Sequence, residues 1–168
     1  MSDRAQSDTD LRVRIRPARD ADAPRLREIA AASKGHWGYD PERVRAWAAR
    51  LELAPPPGHE VVVAEAADGP VAFAVLVPRG AACVLDDLWV APEAMRRGVG
   101  SRLLDHAVER ARELGAKRVE WESEPNAVGF YEKAGARFTG ETSLSSWGRE
   151  LPVMALDVRD ERPSRAGR

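Results

Sequence analysis

Cysteine occurs once in the 168 residues, at Cys83, so neither an intrachain disulfide nor a cysteine zinc cluster can form. Histidine is scarce too, and His59 and His106 have no neighbours at ligand spacing, so no metal is expected. Neither sign of charge is in excess: 26 Lys+Arg against 27 Asp+Glu leave a formal net charge of −1. That balance argues against a mainly electrostatic nucleic-acid binder, which needs a basic surplus. No apolar run approaches the ~18–20 residues that span a bilayer, so no membrane partner is expected. Residues 1–10 lack the apolar stretch of a signal peptide, and the expected location is the cytoplasm. What is present is a hydrophobic fraction of 43%, too high for a disordered chain. One core serves ~100–200 residues, so a single domain is expected and its chemistry must be local.

Residues 1–10 and 159–168 are polar and read as a disordered lead and tail around a domain over 11–158. Leu11, Val13 and Ile15 alternate with arginines, the period of a half-buried strand. Asp22 is placed to cap a helix with Leu26, Ile29 and Ala30 inside. Asp40-Pro41 starts a second helix, whose face is Val44, Trp47, Ala48 and Leu51. Three strands are predicted at 60–65, 71–77 and 82–90, with glycine turns between them. A long helix over 100–114 follows, with Leu103, Leu104, Ala107, Val108, Ala111 and Leu114 inward and Gly115 as its stop. A strand over 117–122, a short helix opened by Pro125, and strands at 137–142 and 152–158 complete the chain. The prediction is an α/β fold, a mixed sheet of about seven strands with about four helices on its faces. Cys83 lies in an apolar strand and reads as inert packing.

The most informative stretch runs from Leu85 through Leu88-Trp89-Val90 to Met95-Arg96-Arg97-Gly98-Val99-Gly100-Ser101. A strand enters a two-glycine turn and then an amphipathic helix. The first amides of a helix have no intrahelical partner and lie at the positive end of its dipole. Glycines let an anion approach them, so the segment reads as a cradle for phosphate or pyrophosphate. It is not a P-loop, because Gly100-Ser101-Arg102 replaces Gly-Lys-Ser/Thr. Nor is it a dinucleotide fingerprint, because Leu103 stands where the third glycine belongs. The second stretch is 122–138, where Ala127, Phe130, Tyr131 and Ala134 share a helix face and Tyr131 by itself reads as core.

Taken together, the two stretches resemble the Gcn5-related N-acetyltransferase (GNAT) superfamily over residues 11–158. Met95 to Gly100 is similar to its Gln/Arg-x-x-Gly-x-Gly/Ala turn, with Met95 departing from the usual first residue. The resemblance implies that the amides of Gly98, Val99, Gly100 and Ser101 hold the pyrophosphate of acetyl-CoA, with Arg96 and Arg97 adding positive charge. It implies that Leu88, Trp89 and Val90 offer a free strand edge to the pantetheine arm, where strand 117–122 splays away. Phe130-Tyr131-Glu132-Lys133-Ala134-Gly135 resembles the Phe-Tyr-x-Lys-x-Gly signature, which adds Phe130 and Lys133 to the cofactor side. Tyr131 falls where many members place the acid that protonates the departing thiolate. Glu124 stands where many members carry an asparagine seven residues before that tyrosine, and Asn126 is the substitute for the pantetheine contact.

The implied reaction is direct attack of an amine on the thioester, with a small-molecule or peptide amine as acceptor. A lysine-type amine is protonated at pH 7, so a base or a water chain must take its proton. Some relatives place a base at the position of Asp86. Strand alternation puts Asp86 and Asp87 on opposite faces, and exposed acids are the alternative reading. Ser33 to Asp40 resembles a His-Trp-Gly-Tyr stretch of one bacterial branch, which implies that His36, Trp37 and Tyr39 border the acceptor. Packing of the helix junction is the alternative for Trp37 and Tyr39. Gly148-Arg149-Glu150-Leu151-Pro152 matches an element of the same branch and reads as an acceptor cover or a homodimer edge. A GNAT-like acyl-CoA sensor without chemistry is the rival function.

Overall fold

A computed structural model describes residues 10–54 and 57–159. Of the expected lead over 1–10 and tail over 159–168, all but Asp10 and Arg159 lie outside the described residues. Seven strands form one sheet: β1 (Arg14–Pro17), β2 (Glu60–Ala66), β3 (Gly69–Arg79), β4 (Ala82–Val90), β5 (Arg118–Glu122), β6 (Arg137–Leu144) and β7 (Glu150–Asp157). Their order is β1-β2-β3-β4-β5-β7-β6. Only β4 and β5 pair in parallel; every other neighbouring pair is antiparallel. The helices are α1 (Ala23–His36), α2 (Pro41–Ala48), α3 (Val99–Glu113) and α4 (Val128–Lys133). This is the mixed sheet with four helices that the alternating patterns predict.

The local reasons are legible in particular residues. Asp40 caps α2 by accepting a hydrogen bond from Arg43 N at 2.9 Å, and Pro41 occupies the first turn, where its missing N–H costs nothing. The inward faces are those the periodicity selects: Leu26, Ile29 and Ala30 on α1, and Leu103, Leu104, Ala107 and Ala111 on α3. They pack on Val63, Phe73, Leu76, Val119 and Met154 in one core. Burying each larger side chain is worth ~1.5–3 kcal/mol. Cys83 belongs to this core, and burial pushes its thiol upward, away from reactivity.

Two expectations are corrected. Leu114 is 42% exposed, because α3 ends at Glu113 and Leu114 is its C-cap, bonded through its amide to Arg110 O, instead of facing the sheet. Asp22 does not cap α1 with its side chain. Its carboxylate grips the buried Arg16 guanidinium through two bonds of 2.7 and 3.0 Å and also accepts from Arg19 N. Glu65 completes the ion cluster on Arg16 at 3.1 Å. Both carboxyls are held down to about 2, in each case mainly by hydrogen bonds from Arg16.

Candidate functional site

The sheet parts where the sequence places its glycine turn. β4 pairs with β5 only through Ala82–Val84, opposite Arg118–Glu120. Beyond that point β4 stays paired with β3, while the last residues of β5 stay paired with β7. The edge of Leu88, Trp89 and Val90 toward β5 therefore has no strand partner among the described residues. A register slip accompanies the split: Val75 faces Asp87 and Leu76 faces Leu85, so Asp86 is an extra residue on β4. Such a bulge bends its strand, here just past the last β4–β5 pair.

At the end of β4 the chain turns into α3. Gly98 occupies the N-cap with φ +77°, and no side chain caps this end. The first intrahelical bond runs from Arg102 N to Gly98 O, so the amides of Val99, Gly100 and Ser101 point out of the helix unpaired within it. The two glycines have separate reasons. Gly98 sits in the left-handed region, and a Cβ there would also lie 3.1 Å from Asp10 Oδ1. A Cβ on Gly100 would lie 3.2 Å from Cζ of Phe130, so the missing side chain admits that ring. Arg96 and Arg97 stand exposed beside this turn, whereas the Val99 side chain is core.

Tyr131 is buried on α4, its ring 4.6 Å from that of Trp121 and 5.0 Å from that of Phe130. Burial alone drives its phenol well above the ordinary value, so the hydroxyl stays protonated near neutrality. Asn126 is exposed and donates to Glu124 Oε1 at 3.0 Å, and Lys133 and Ser101 are exposed.

Four aromatic rings from four parts of the chain surround one ammonium. Lys34, buried near the end of α1, holds Nζ 4.3 Å from the ring centre of Tyr39, 4.6 Å from Trp147, 5.0 Å from Trp47 and 5.5 Å from Trp89. Three of the five tryptophans and one of the two tyrosines are committed to this cage. Burial pushes the Lys34 ammonium down; Glu124 and Asp87 push it back up, and Arg149 adds to the lowering. Asp87 accepts from Trp89 Nε1 at 2.7 Å. Its carboxyl is raised to about 6, mainly by burial and further by Asp86, against the Trp89 hydrogen bond and Lys34. Asp86 is exposed on the bulge, so the acid that meets the cage is Asp87.

Around the cage lies a cavity of about 260 Å³, lined by Trp37, Tyr39, Asp40, Arg43, Trp147 and Arg149, with Gly38. Trp37, 37% exposed, therefore lines a cavity rather than filling a helix junction. Tyr39 Oη donates to Glu124 at 2.7 Å and accepts from Arg149 Nη1 at 2.7 Å, tying the α1–α2 loop to the end of β5 and to the β6–β7 loop. His36 is exposed and stacks edge-on against Trp37 at 4.9 Å, outside this lining. Sequence reasoning missed Lys34, Arg43, Asp87 and Trp147 as site residues. Lys34 and Trp147 stood in conspicuous clusters, but no local period brings residues 34, 47, 89 and 147 to one point.

Comparison with known proteins places these features in context. The sequence model of the acetyltransferase (GNAT) family matches residues 23–136. The peptidyl-lysine N-acetyltransferase YjaB of Escherichia coli is 34% identical over 89 residues, which are 53% of this chain and 56% of that protein. The match thus spans little more than half the length of that relative. A GCN5-related N-acetyltransferase from Rhodopseudomonas palustris superimposes with a TM-score of 0.70 at 26% identity, over 86% of this chain and 95% of that one. The PaiA N-acetyltransferase of Thermoplasma acidophilum, solved with coenzyme A, has a TM-score of 0.71 at 19% identity, over 88% and 99% of the two chains, a likeness of fold.

Proposed function

Because the chain belongs to the acetyltransferase (GNAT) family, we propose that it moves an acetyl group from acetyl-CoA to a primary amine of a small molecule or peptide by direct attack. The observation that carries this reading is the unpaired edge of Leu88–Val90 ending at the uncapped amides of α3. A strand-like arm ending in a diphosphate satisfies both at once, the arm on the edge and the anion on the amides. The residues present suit that group: Gly98, Val99, Gly100 and Ser101 supply the amides, Arg96 and Arg97 the charge, and Phe130 packs against the turn. Asn126 and Lys133 are exposed, and we assign them to the cofactor side on the family resemblance alone. The peptidyl-lysine activity in the name of the YjaB relative supports an amine as acceptor.

In the reaction, the amine nitrogen forms the N–C bond to the acetyl carbon and the C–S bond breaks. An amide of the β4 edge polarises the carbonyl as negative charge develops on its oxygen. Asp87, rather than Asp86, receives the amine proton, directly or through water: it meets the caged lysine and titrates near the pH of use. Tyr131 donates to the departing sulfur. Its raised pKa keeps the proton on the phenol, so Tyr131 acts as a hydrogen-bond donor that stabilises the thiolate as the sulfur leaves.

Two measurements test the proposal. Calorimetric titration with acetyl-CoA is expected to show one site per chain, weakened by salt. Thiol release in a panel of primary amines is expected to be amine-dependent. Binding with no release for any amine would replace the enzyme by an acyl-CoA sensor, and absence of binding would reject both.

A further inference from the structure

The rim of the aromatic cage offers an incoming molecule an anion site. The place that suits an ammonium, inside the four rings, is already filled by Lys34. What remains open beside it is the cavity of about 260 Å³, below the ~300 Å³ at which drug-sized pockets begin, and so suited to a small molecule or a single chain end. Two guanidinium groups face it. Arg43 stacks over Trp147 at 4.5 Å and anchors one nitrogen on Ser146 O at 2.9 Å. Arg149 lies over Tyr39 at 5.3 Å and is tied to Tyr39 Oη and Glu124. Both arginines are exposed, each restrained by a ring contact and a hydrogen bond, and a guanidinium fork matches the two oxygens of a carboxylate.

The acids nearby are occupied. Glu124 already receives Tyr39, Asn126 and Arg149. Asp40, the carboxylate on the lining, is engaged by the Arg43 amide as the cap of α2. Arg43 has no carboxylate partner among the described residues, so its charge is the one left for a ligand. Side-chain contacts link the cavity to both splayed strands: Tyr39, on its lining, donates to Glu124 after β5 and lies under Lys34, which reaches Trp89 on β4.

We propose that this cavity is a carboxylate subsite of the acceptor pocket and that the amine it serves carries an acid group, as an amino acid or a chain end does. The inference rests on the acetyl-transfer reading and names its substrate class. A strongly basic peptide segment would meet Arg43, Arg149 and Lys34 as like charges and is disfavoured.

The test uses the full chain, acetyl-CoA and matched pairs of primary amines of increasing length, each carboxylate beside its own amide: glycine, β-alanine, γ-aminobutyrate and glutamate. Thiol release is expected to favour the carboxylate member of at least one pair roughly 10-fold or more in kcat/KM. Arg43→Gln, with folding checked by circular dichroism, is expected to raise KM for that acid roughly 10–100-fold and to erase the preference over the amide. KM for acetyl-CoA should be unchanged in that variant. Amides turned over as well as acids in the wild-type protein, or a preference that survives Arg43→Gln, would overturn the subsite while leaving acetyl transfer intact. No thiol release with any amine would instead overturn the acetyl-transfer reading beneath it, a result distinguishable because it needs no variant.

Discussion

Replacing Asp87 with asparagine removes one half-buried charge and keeps nearly every contact. The carboxamide oxygen can still accept from Trp89 Nε1, so the indole that closes one side of the Lys34 cage stays in place. In the folded protein the Asp87 carboxyl is raised from the ordinary 3.8 to about 6, so its ionised form is disfavoured relative to the unfolded chain. Each pKa unit is worth about 1.4 kcal/mol, so ionised Asp87 costs the fold roughly 3 kcal/mol at pH 7. That figure is already net of the attraction of Lys34, so Asp87→Asn should gain up to about 3 kcal/mol at pH 7. The sign follows from proton counting. Between pH 4 and 6 the native state holds a proton at Asp87 that the unfolded state has lost, so the wild-type protein loses stability as pH rises through this window. The variant has no such loss. Thermal melts followed by circular dichroism should therefore coincide most closely below pH 4, diverge up to about pH 6, and stay apart by roughly 6–12 °C at pH 7–8. Activity should move the opposite way. The acid limb of the wild-type kcat/KM profile, with a midpoint near 6, should vanish in Asp87→Asn with a large loss of turnover, whereas Asp86→Asn should keep it. A melting difference independent of pH, or an acid limb that persists without Asp87, would refute the reasoning.

Other perturbations separate the remaining parts. Tyr131→Phe should lower kcat roughly 100-fold or more while leaving KM for acetyl-CoA and the melting temperature nearly unchanged, because the phenol hydroxyl makes no hydrogen bond within the described protein. Asp22→Asn should cost about 3 kcal/mol in urea unfolding at pH 7, the low end for breaking a buried ion pair, because Glu65 still holds Arg16. The folded carboxyls of Asp22 and Glu65 lie near 2, so their contribution is complete above about pH 5 and is lost as pH falls toward 2; the variant's acid unfolding should be correspondingly shallower. Gly100→Ala should destabilise by about 1–2 kcal/mol and weaken acetyl-CoA binding, because the Phe130 ring must give way. The same substitution in a Phe130→Leu background should cost much less in stability, and an equal cost would disprove the contact.

The order of strands and helices was legible in the sequence wherever one period dominated. Leu26, Ile29 and Ala30 on α1, and Leu103, Leu104, Ala107 and Ala111 on α3, are buried as their 3.6-residue spacing predicts. Asp40 caps α2 as read, because a cap needs only its own neighbours. Asp22 is the counter-example: an equally good local cap was outcompeted by Arg16, a partner on β1 that outbids an amide for a carboxylate. The bulge at Asp86 was illegible for the same reason, since it exists only as a mismatch between β3 and β4.

By itself, the sequence determined the sheet's composition and the two-glycine entry to α3, which follow from residue types at short range, whereas Tyr131 alone reads as a core residue and takes its proposed role only from the family resemblance. Only the tertiary structure decided that β4 leaves β5 after Val84, that Asp87 rather than Asp86 meets the cage, and that Lys34 occupies it. Those outcomes depend on contacts between residues as far apart as 34 and 147, where burial, ring geometry and charge act through space and leave no period along the chain.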